Sequence, residues 1–270
     1  MKFELEEFLT DKRFCPVCGE GASLFLNNKE TGRTFYVCPA CYYIFEPPEE
    51  KKIGEAEESD FFKRQWEASP DGGNPDCYKH IKSLLETAGK KQITSLDFGC
   101  GNAGLVRFLR EGGLNAIGVD RVPVDNDMKE FVYPDIDSLP DVKFDLITAV
   151  EVFEHLHDPV AVLEKLRPLL AEGGFIYLTT LLTNRAMPGI RFFPYWIYQK
   201  DETHVGFFHE KTFDLIAEKV DLDLQVFGAG DIVLDSSFQR VVTVHENRFV
   251  FGKDGGEKPN WPVDRKRPTS

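Results

Sequence analysis

The middle of the chain switches repeatedly between two hydrophobic periods. Ile81, Leu84, Leu85 and Ala88 sit at helical spacing, and Ile93-Thr94-Ser95-Leu96-Asp97 reads as a buried strand stopped by glycines. Leu105, Phe108 and Leu109 start a helix that Gly112-Gly113 ends. Ala116-Ile117-Gly118-Val119-Asp120 predicts a second strand, Phe131-Val132-Tyr133 a short third and Phe144 to Val150 a fourth. Val160, Leu163, Leu166 and Leu170 predict a helix closed by Gly173-Gly174, followed by a fifth strand from Phe175 to Thr180. Such alternation implies an α/β fold built on a parallel, doubly wound sheet. Ligands of these sheets bind beyond the carboxyl ends of the strands.

The flanks differ in character. Residues 1–48 carry paired cysteines and short β-prone runs such as Thr34-Phe35-Tyr36-Val37. Residues 49–75 are charged after a Pro-led start and read as a linker. Residues 76–252 hold the α/β pattern, and residues 253–270, rich in Gly, Pro and charge, read as a flexible tail. With 42% apolar residues and 23 phenylalanines among 270, the chain has enough apolar side chains for a sizeable core. No run of about 18 apolar residues suggests a membrane span, and the acidic start Met1-Lys2-Phe3-Glu4 does not resemble a signal peptide. The expected location is cytoplasmic. A net charge of −13 disfavours phosphate backbones and anionic membranes as partners and leaves small molecules and peptides. Oligomeric state leaves no trace in the sequence.

Cys15-Pro16-Val17-Cys18 and Cys38-Pro39-Ala40-Cys41 carry the strongest metal signal. Each Cys-x-x-Cys turn brings two thiolates to one ion, and two turns complete a tetrahedron, the spacing of a zinc ribbon. Four thiolates close the coordination shell, so the expected zinc is structural. In so small a module the ion stands in for a core too small to be stable alone.

The loop Asp97-Phe98-Gly99-Cys100-Gly101-Asn102-Ala103-Gly104 follows the first strand of the α/β region. Its glycines permit a sharp turn and close approach to a ligand, and the next helix offers unpaired N–H groups. The Gly-x-Gly pattern alone also fits NAD enzymes. Asp97 separates the two, because a carboxylate at the strand end suits the ammonium and sulfonium of S-adenosylmethionine and repels a pyrophosphate. Asp120 ends the second strand, where an acid would take ribose hydroxyls.

These residues, with Gly118-Val119-Asp120, Asp135 ahead of Leu139-Pro140, Glu154-His155-Leu156 with Asp158-Pro159, and Leu169-Leu170-Ala171-Glu172-Gly173-Gly174, resemble class I S-adenosylmethionine-dependent methyltransferases of the small-molecule group. The resemblance spans roughly residues 76–252. It implies a Rossmann-like sheet of seven strands with the last antiparallel. It further implies that Gly99 and Gly101 line the methionine part, Asp97 sits near its ammonium, Asp120 takes the ribose and Asp135 the adenine edge. Cys100 and Glu151 complete the expected cofactor contacts. Plainer roles stand beside these: Asp120 as a cap, Asp135 or Asp137 in a turn, Glu151 and Glu154 as exposed charges at a helix start, and Cys100 as a filler in its loop.

After the fifth strand comes an insertion, residues 181–209, with Phe192, Phe193, Tyr195, Trp196, Tyr198, Phe207 and Phe208. Its place over the cofactor suits a lid or acceptor pocket, and simple packing of the rings onto the domain is the alternative. His204 is the first candidate for a general base and His155 the second, since an oxygen acceptor must lose a proton; a structural role is the plainer reading of either ring, and a carbon or neutral amine acceptor needs no base. The expected activity is methyl transfer to a small molecule, such as a sugar intermediate or other metabolite, on oxygen or carbon. The alternatives are an RNA methyltransferase that reads its substrate with the ribbon, and a non-catalytic cofactor-binding scaffold.

Overall fold

The computed structural model describes residues 13–29, 31–51, 53–68, 81, 92–227, 231–234 and 248–252. The helix read from Leu84, Leu85 and Ala88 and the tail from Lys253 lie outside the described residues.

The paired cysteines sit in two turns of a small antiparallel sheet. Strands β1 (Arg13–Phe14), β2 (Gly21–Asn28), β3 (Arg33–Val37) and β4 (Ile44–Phe45) pair in sequence order. Gly19, at φ +81°, closes the first turn, and its N–H donates to the Cys15 carbonyl. Tyr42, also left-handed, closes the second by donating to the Cys38 carbonyl. The sheet does not end at β4, because the distant strand β10 (Gly206–Phe207) adds to its edge antiparallel.

Next comes α1 (Glu55–Ala68), a 14-residue helix within the stretch expected as a linker. Phe62 and Trp66, one helical turn apart, both line the main cavity. Glu58, 1% exposed, is held between Lys51 at 2.8 Å and Arg121. Charge composition hid this helix, since its apolar face is only a few residues wide.

The main sheet carries β5 (Thr94–Phe98), β6 (Asn115–Val119), β7 (Val132–Tyr133), β8 (Phe144–Val150) and β9 (Leu170–Thr179), all parallel. Strands β12 (Asp231–Leu234) and β13 (Arg248–Gly252) each pair antiparallel with β9, and β11 (Asp223–Phe227), antiparallel to both, runs in the direction of the parallel strands. The order is β12-β11-β13-β9-β8-β5-β6-β7. The seven-strand frame implied by the resemblance is present, and β12 adds an eighth. Helices α2 (Gly104–Glu111), α3 (Pro159–Leu166) and α4 (Glu210–Lys219) connect the strands, and each buries its apolar stripe.

One expected boundary moves. The helix read through Leu170 stops at Leu166, because Pro168 interrupts helical hydrogen bonding and a single 3-10 turn follows. Leu170 already pairs with Phe144, and the ladder then skips to Leu146 and Phe175. Gly173-Gly174 therefore form a bulge inside the strand. A Cβ on Gly174 would lie 2.7 Å from the Phe144 carbonyl oxygen, so only glycine allows the two strands to close again.

The aromatic insertion packs chiefly against the cysteine-bearing sheet. Phe193 and Phe207 are fully buried with Phe35, Ile44 and Met187, and Phe193 meets the rings of Phe25 and Phe35 at 5.4 Å. Of this insertion, only Asp201 and His204 reach the main cavity.

Candidate functional site

The loop after β5 is knitted onto β6. The N–H groups of Gly99 and Cys100 both donate to the Val119 carbonyl, at 2.8 and 3.1 Å. Gly99 is left-handed, and a Cβ there would lie 2.6 Å from the Val152 side chain. Cys100 fits into the space left by Gly118, where a Cβ would stand 2.5 Å from its sulfur. Burial pushes the Cys100 thiol well above its usual range, helped by the charges of Asp97 and Asp120, so it is a packed thiol and not a nucleophile.

Asp120 turns inward to this loop. One carboxylate oxygen accepts from Gly101 N–H and the other from Val122 N–H, both at 2.8 Å. Each oxygen keeps a lone pair for a ligand, so its capping role coexists with the expected ribose contact. Asp97, 4% exposed, accepts from the Thr148 hydroxyl at 2.7 Å. Burial raises its pKa, the Thr148 bond offsets part of that, and the charge of Asp120 adds to it, leaving the group at about 7. A buried carboxylate with one donor is a ready partner for a cation.

A cavity of about 810 Å³ opens beyond these strand ends. It runs from the glycine loop past Asp120 and Asp135, under Phe62 and Trp66 of α1, to His155 and His204. Asp135 stands exposed at the rim, and its side chain caps a 3-10 turn by accepting from Ser138 N–H at 2.8 Å. Asp137, in that same turn, also lines the rim. Glu151, left-handed at φ +52°, accepts from the Thr179 hydroxyl at 2.7 Å and the Tyr198 hydroxyl at 3.1 Å. A non-glycine residue held in that conformation at a cavity wall is a feature of functional sites.

The far end of the cavity holds a second cluster. The Nδ1 atoms of His155 and His204 face the carbonyl oxygens of Thr203 at 3.1 Å and Tyr198 at 2.8 Å. Each ring therefore carries its proton on Nδ1 and keeps a lone pair on Nε2, that of His204 lying 3.8 Å from Asp201 Oδ2. The rings lie 4.7 Å apart, with Phe62 5.3 Å from His155. Burial drives His155 down to about 4, with the charge of His204 adding to the shift. Burial lowers His204 as well, against the opposing pull of Asp201. Both are neutral near pH 7.

Glu154, in place of the exposed charge that was one expectation, is fully buried. Its carboxyl oxygens have no hydrogen-bond partner among the described residues. Burial, followed by the charge of Glu151, pushes its pKa well above the ordinary carboxylate range, against a smaller opposing pull from the nearby Tyr198 and Thr180 hydroxyls. Glu154, His155 and His204 each bring one ligand atom within 4.8 Å of the others. An orphaned carboxyl beside two imidazole lone pairs fits a small divalent cation.

Cys15, Cys18, Cys38 and Cys41 form a cluster of four sulfurs within the same 4.8 Å limit. Cys15 and Cys41 lie 3.6 Å apart, Cys18 and Cys38 3.4 Å. A tetrahedral ion with metal–sulfur bonds of about 2.3 Å sets sulfurs about 3.8 Å apart, so the donor set fits zinc.

The match to a protein family agrees with this geometry. A family model described as "Methyltransferase domain" matches residues 74–225, more than half of the chain. The chain belongs to this methyltransferase family. It is 29% identical over 157 residues to a ubiquinone biosynthesis O-methyltransferase of Methylococcus capsulatus, covering 50% of this chain and 63% of that one. A protein of the same description from Paraburkholderia phytofirmans is 28% identical over 125 residues, covering 41% and 53%. The chain thus spans about half to three-fifths of the length of these curated relatives. Among solved structures, a TehB-like SAM-dependent methyltransferase from Corynebacterium glutamicum aligns with a TM-score of 0.45 at 21% identity, over 74% of this chain and all of that one.

The fold brings the sequence-predicted Asp97, Gly99, Cys100, Gly101, Asp120, Asp135, Glu151, His155 and His204 to one cavity of this methyltransferase domain. Sequence reasoning missed Phe62, Gln65 and Trp66. The spacing of Phe62 and Trp66 was their only visible signal.

Proposed function

We propose that this methyltransferase-family protein moves a methyl group from S-adenosylmethionine to a hydroxyl oxygen of a small molecule. The observation that carries this reading is the pairing of the two neutral histidines with the glycine loop at opposite ends of one cavity. In this reading Asp97 holds the ammonium, Asp120 a ribose hydroxyl, and Asp135 and Glu151 the outer edges of the cofactor. The activated sulfonium supplies a methyl carbon that forms a bond to the acceptor oxygen as its bond to sulfur breaks, the electron pair staying on sulfur. His204 Nε2 takes the hydroxyl proton, and His155 shapes the same pocket. The relatives named O-methyltransferases support oxygen over carbon, and a net charge of −13 supports a small acceptor over RNA. Residues 76–252, with α1 laid over the cavity, form the catalytic unit, and residues 1–48 a ribbon whose four cysteines hold structural zinc.

One observation favours a second way of activating the acceptor. The Glu154, His155 and His204 cluster suits a divalent cation that would bind the hydroxyl directly and lower its pKa. The test uses labelled S-adenosylmethionine with panels of phenols, catechols, sugar nucleotides and total RNA. Label in a hydroxyl-bearing small molecule, with kcat reduced about 100-fold in His204→Ala, is the expected result. Label entering RNA alone, or no transfer to any acceptor, overturns it. Addition of Mg²⁺, Mn²⁺ or Zn²⁺ after dialysis against a chelator separates the two mechanisms.

A further inference from the structure

Arg33 lies in β3, in the middle of the cysteine-bearing sheet, yet it is only 4% exposed. Its partner Glu46, just after β4, is 1% exposed. The guanidinium meets that carboxylate through Nε, at 3.3 and 3.1 Å from the two oxygens, and through Nη2 at 2.9 Å. The remaining donors all turn to one loop of the catalytic region. Nη1 donates to the Gln199 carbonyl at 3.0 Å and the Asp201 carbonyl at 2.8 Å, and Nη2 donates to the His204 carbonyl. A buried ion pair gains little net stability once desolvation is counted. Three directed bonds to carbonyls of one short loop point to placement, for which a rigid fork of five donors is suited.

That loop sets both histidine rings. His204 belongs to it and aims Nδ1 at the Tyr198 carbonyl, while His155 reaches across from the end of β8 and aims Nδ1 at the Thr203 carbonyl. Glu46 adds a further tie, its N–H donating to the Val205 carbonyl at 2.8 Å, and β4 pairs with β10 directly beyond. We propose that Arg33, held by Glu46, is a positioning residue: it fixes the 199–204 loop so that the rings of His155 and His204 present Nε2 to the acceptor end of the cavity. The ribbon thereby takes part in methyl transfer without touching cofactor or acceptor. This inference rests on the proposed role of the two histidines, and the experiment separates the two.

The test compares the full chain with Arg33→Met and Arg33→Lys. Folding is checked by thermal unfolding, and S-adenosylmethionine affinity by calorimetry. Long-range ¹H–¹⁵N spectra of ¹⁵N-histidine protein read the ring tautomers, assigned with His155→Asn and His204→Asn. In the parent protein both rings are expected as Nδ1–H tautomers. In Arg33→Met the His204 and His155 signals should move toward averaged tautomers while cofactor affinity stays within about twofold, and Arg33→Lys should restore them in part. A folded Arg33→Met with both signatures unchanged overturns the proposal. If that variant does not fold, exchange of the Arg33 Nη protons in the parent, which bond the Gln199, Asp201 and His204 carbonyls, decides. Slow exchange supports the clamp, and exchange as fast as that of exposed Arg64 overturns it. Loss of the tautomer signature should cut turnover about tenfold once an acceptor is known. If turnover is unchanged while the rings move, the positioning stands and the catalytic assignment of the histidines falls.

Discussion

Asp97 shows how one buried group turns burial into selectivity. Its folded pKa of about 7 lies above the unfolded value, so the ligand-free protein binds the extra proton between roughly pH 4 and 7. The stability linked to Asp97 is therefore full at low pH and declines as pH rises through 7. Cofactor binding has the opposite sign, because an ammonium beside the group favours the carboxylate. Between pH 5.5 and 7 the ligand's ammonium stays charged, so affinity for S-adenosylmethionine should rise with pH and level off above 7. At pH 6 binding should release close to one proton, read by calorimetry in buffers of different ionisation enthalpy. Asp97→Asn should bind at least tenfold more weakly and lose the slope. A parent protein with no proton release would place the ammonium elsewhere. Asp97 and the glycines of its loop were legible in the sequence, because a carboxylate and positive-φ residues at a strand end have few other uses. Glu154 was not. Nothing in its neighbours in the chain tells that the Gly206–Phe207 region and Tyr198 fold over it; its charge suggested solvent, and the tertiary structure removed it.

The least legible element is α1. Helix periodicity needs a stripe, and this helix shows only Phe61, Phe62 and Trp66 among charges, so composition outweighed pattern. Its placement depends on one buried carboxylate. Burial pushes Glu58 up, but Lys51 and Arg121 overcome this and hold it below the ordinary range. Arg121 directly follows Asp120, which ties the helix to the strand end expected to hold the ribose. Trp66 packs close over Gly101, within 3.1 Å of where a Cβ would stand. Trp66→Ala should weaken S-adenosylmethionine binding by about tenfold, through lost apolar contact, with a melting temperature within a few degrees of the parent. Equal affinity in that variant would show that α1 does not cover the bound cofactor. Glu58→Gln should have a similar but smaller effect, since the ion pairs set the helix and do not form the wall. The Gly173-Gly174 bulge shows the opposite error. Two glycines after an apolar helix read as its end, while their use is to let β9 approach Phe144, a contact between residues about thirty positions apart.

At the scale of the whole molecule, two regions that the sequence presents as separate share one sheet and one loop. The join escapes any periodicity, because β4 and β10 are two residues each and Arg33 reads as an ordinary surface charge. The second cysteine turn is also locked from the catalytic side, the Thr212 hydroxyl at the start of α4 donating to the Cys41 carbonyl at 2.8 Å. Metal in the ribbon should therefore stabilise more than the ribbon. Elemental analysis of purified protein is expected to give one zinc per chain. Cys38→Ser should lose it and lower the melting temperature by roughly 10 °C in a single transition, as expected when a few kcal/mol of metal-linked folding energy is removed from a chain of this size. A separate early transition for the ribbon, with the main transition unmoved, would show that the shared sheet does not couple the two. The same variant distinguishes the two candidate metal sites. If the zinc stays stoichiometric in Cys38→Ser and leaves in His204→Asn, the ion belongs to Glu154, His155 and His204, and the cysteines are held together by packing alone.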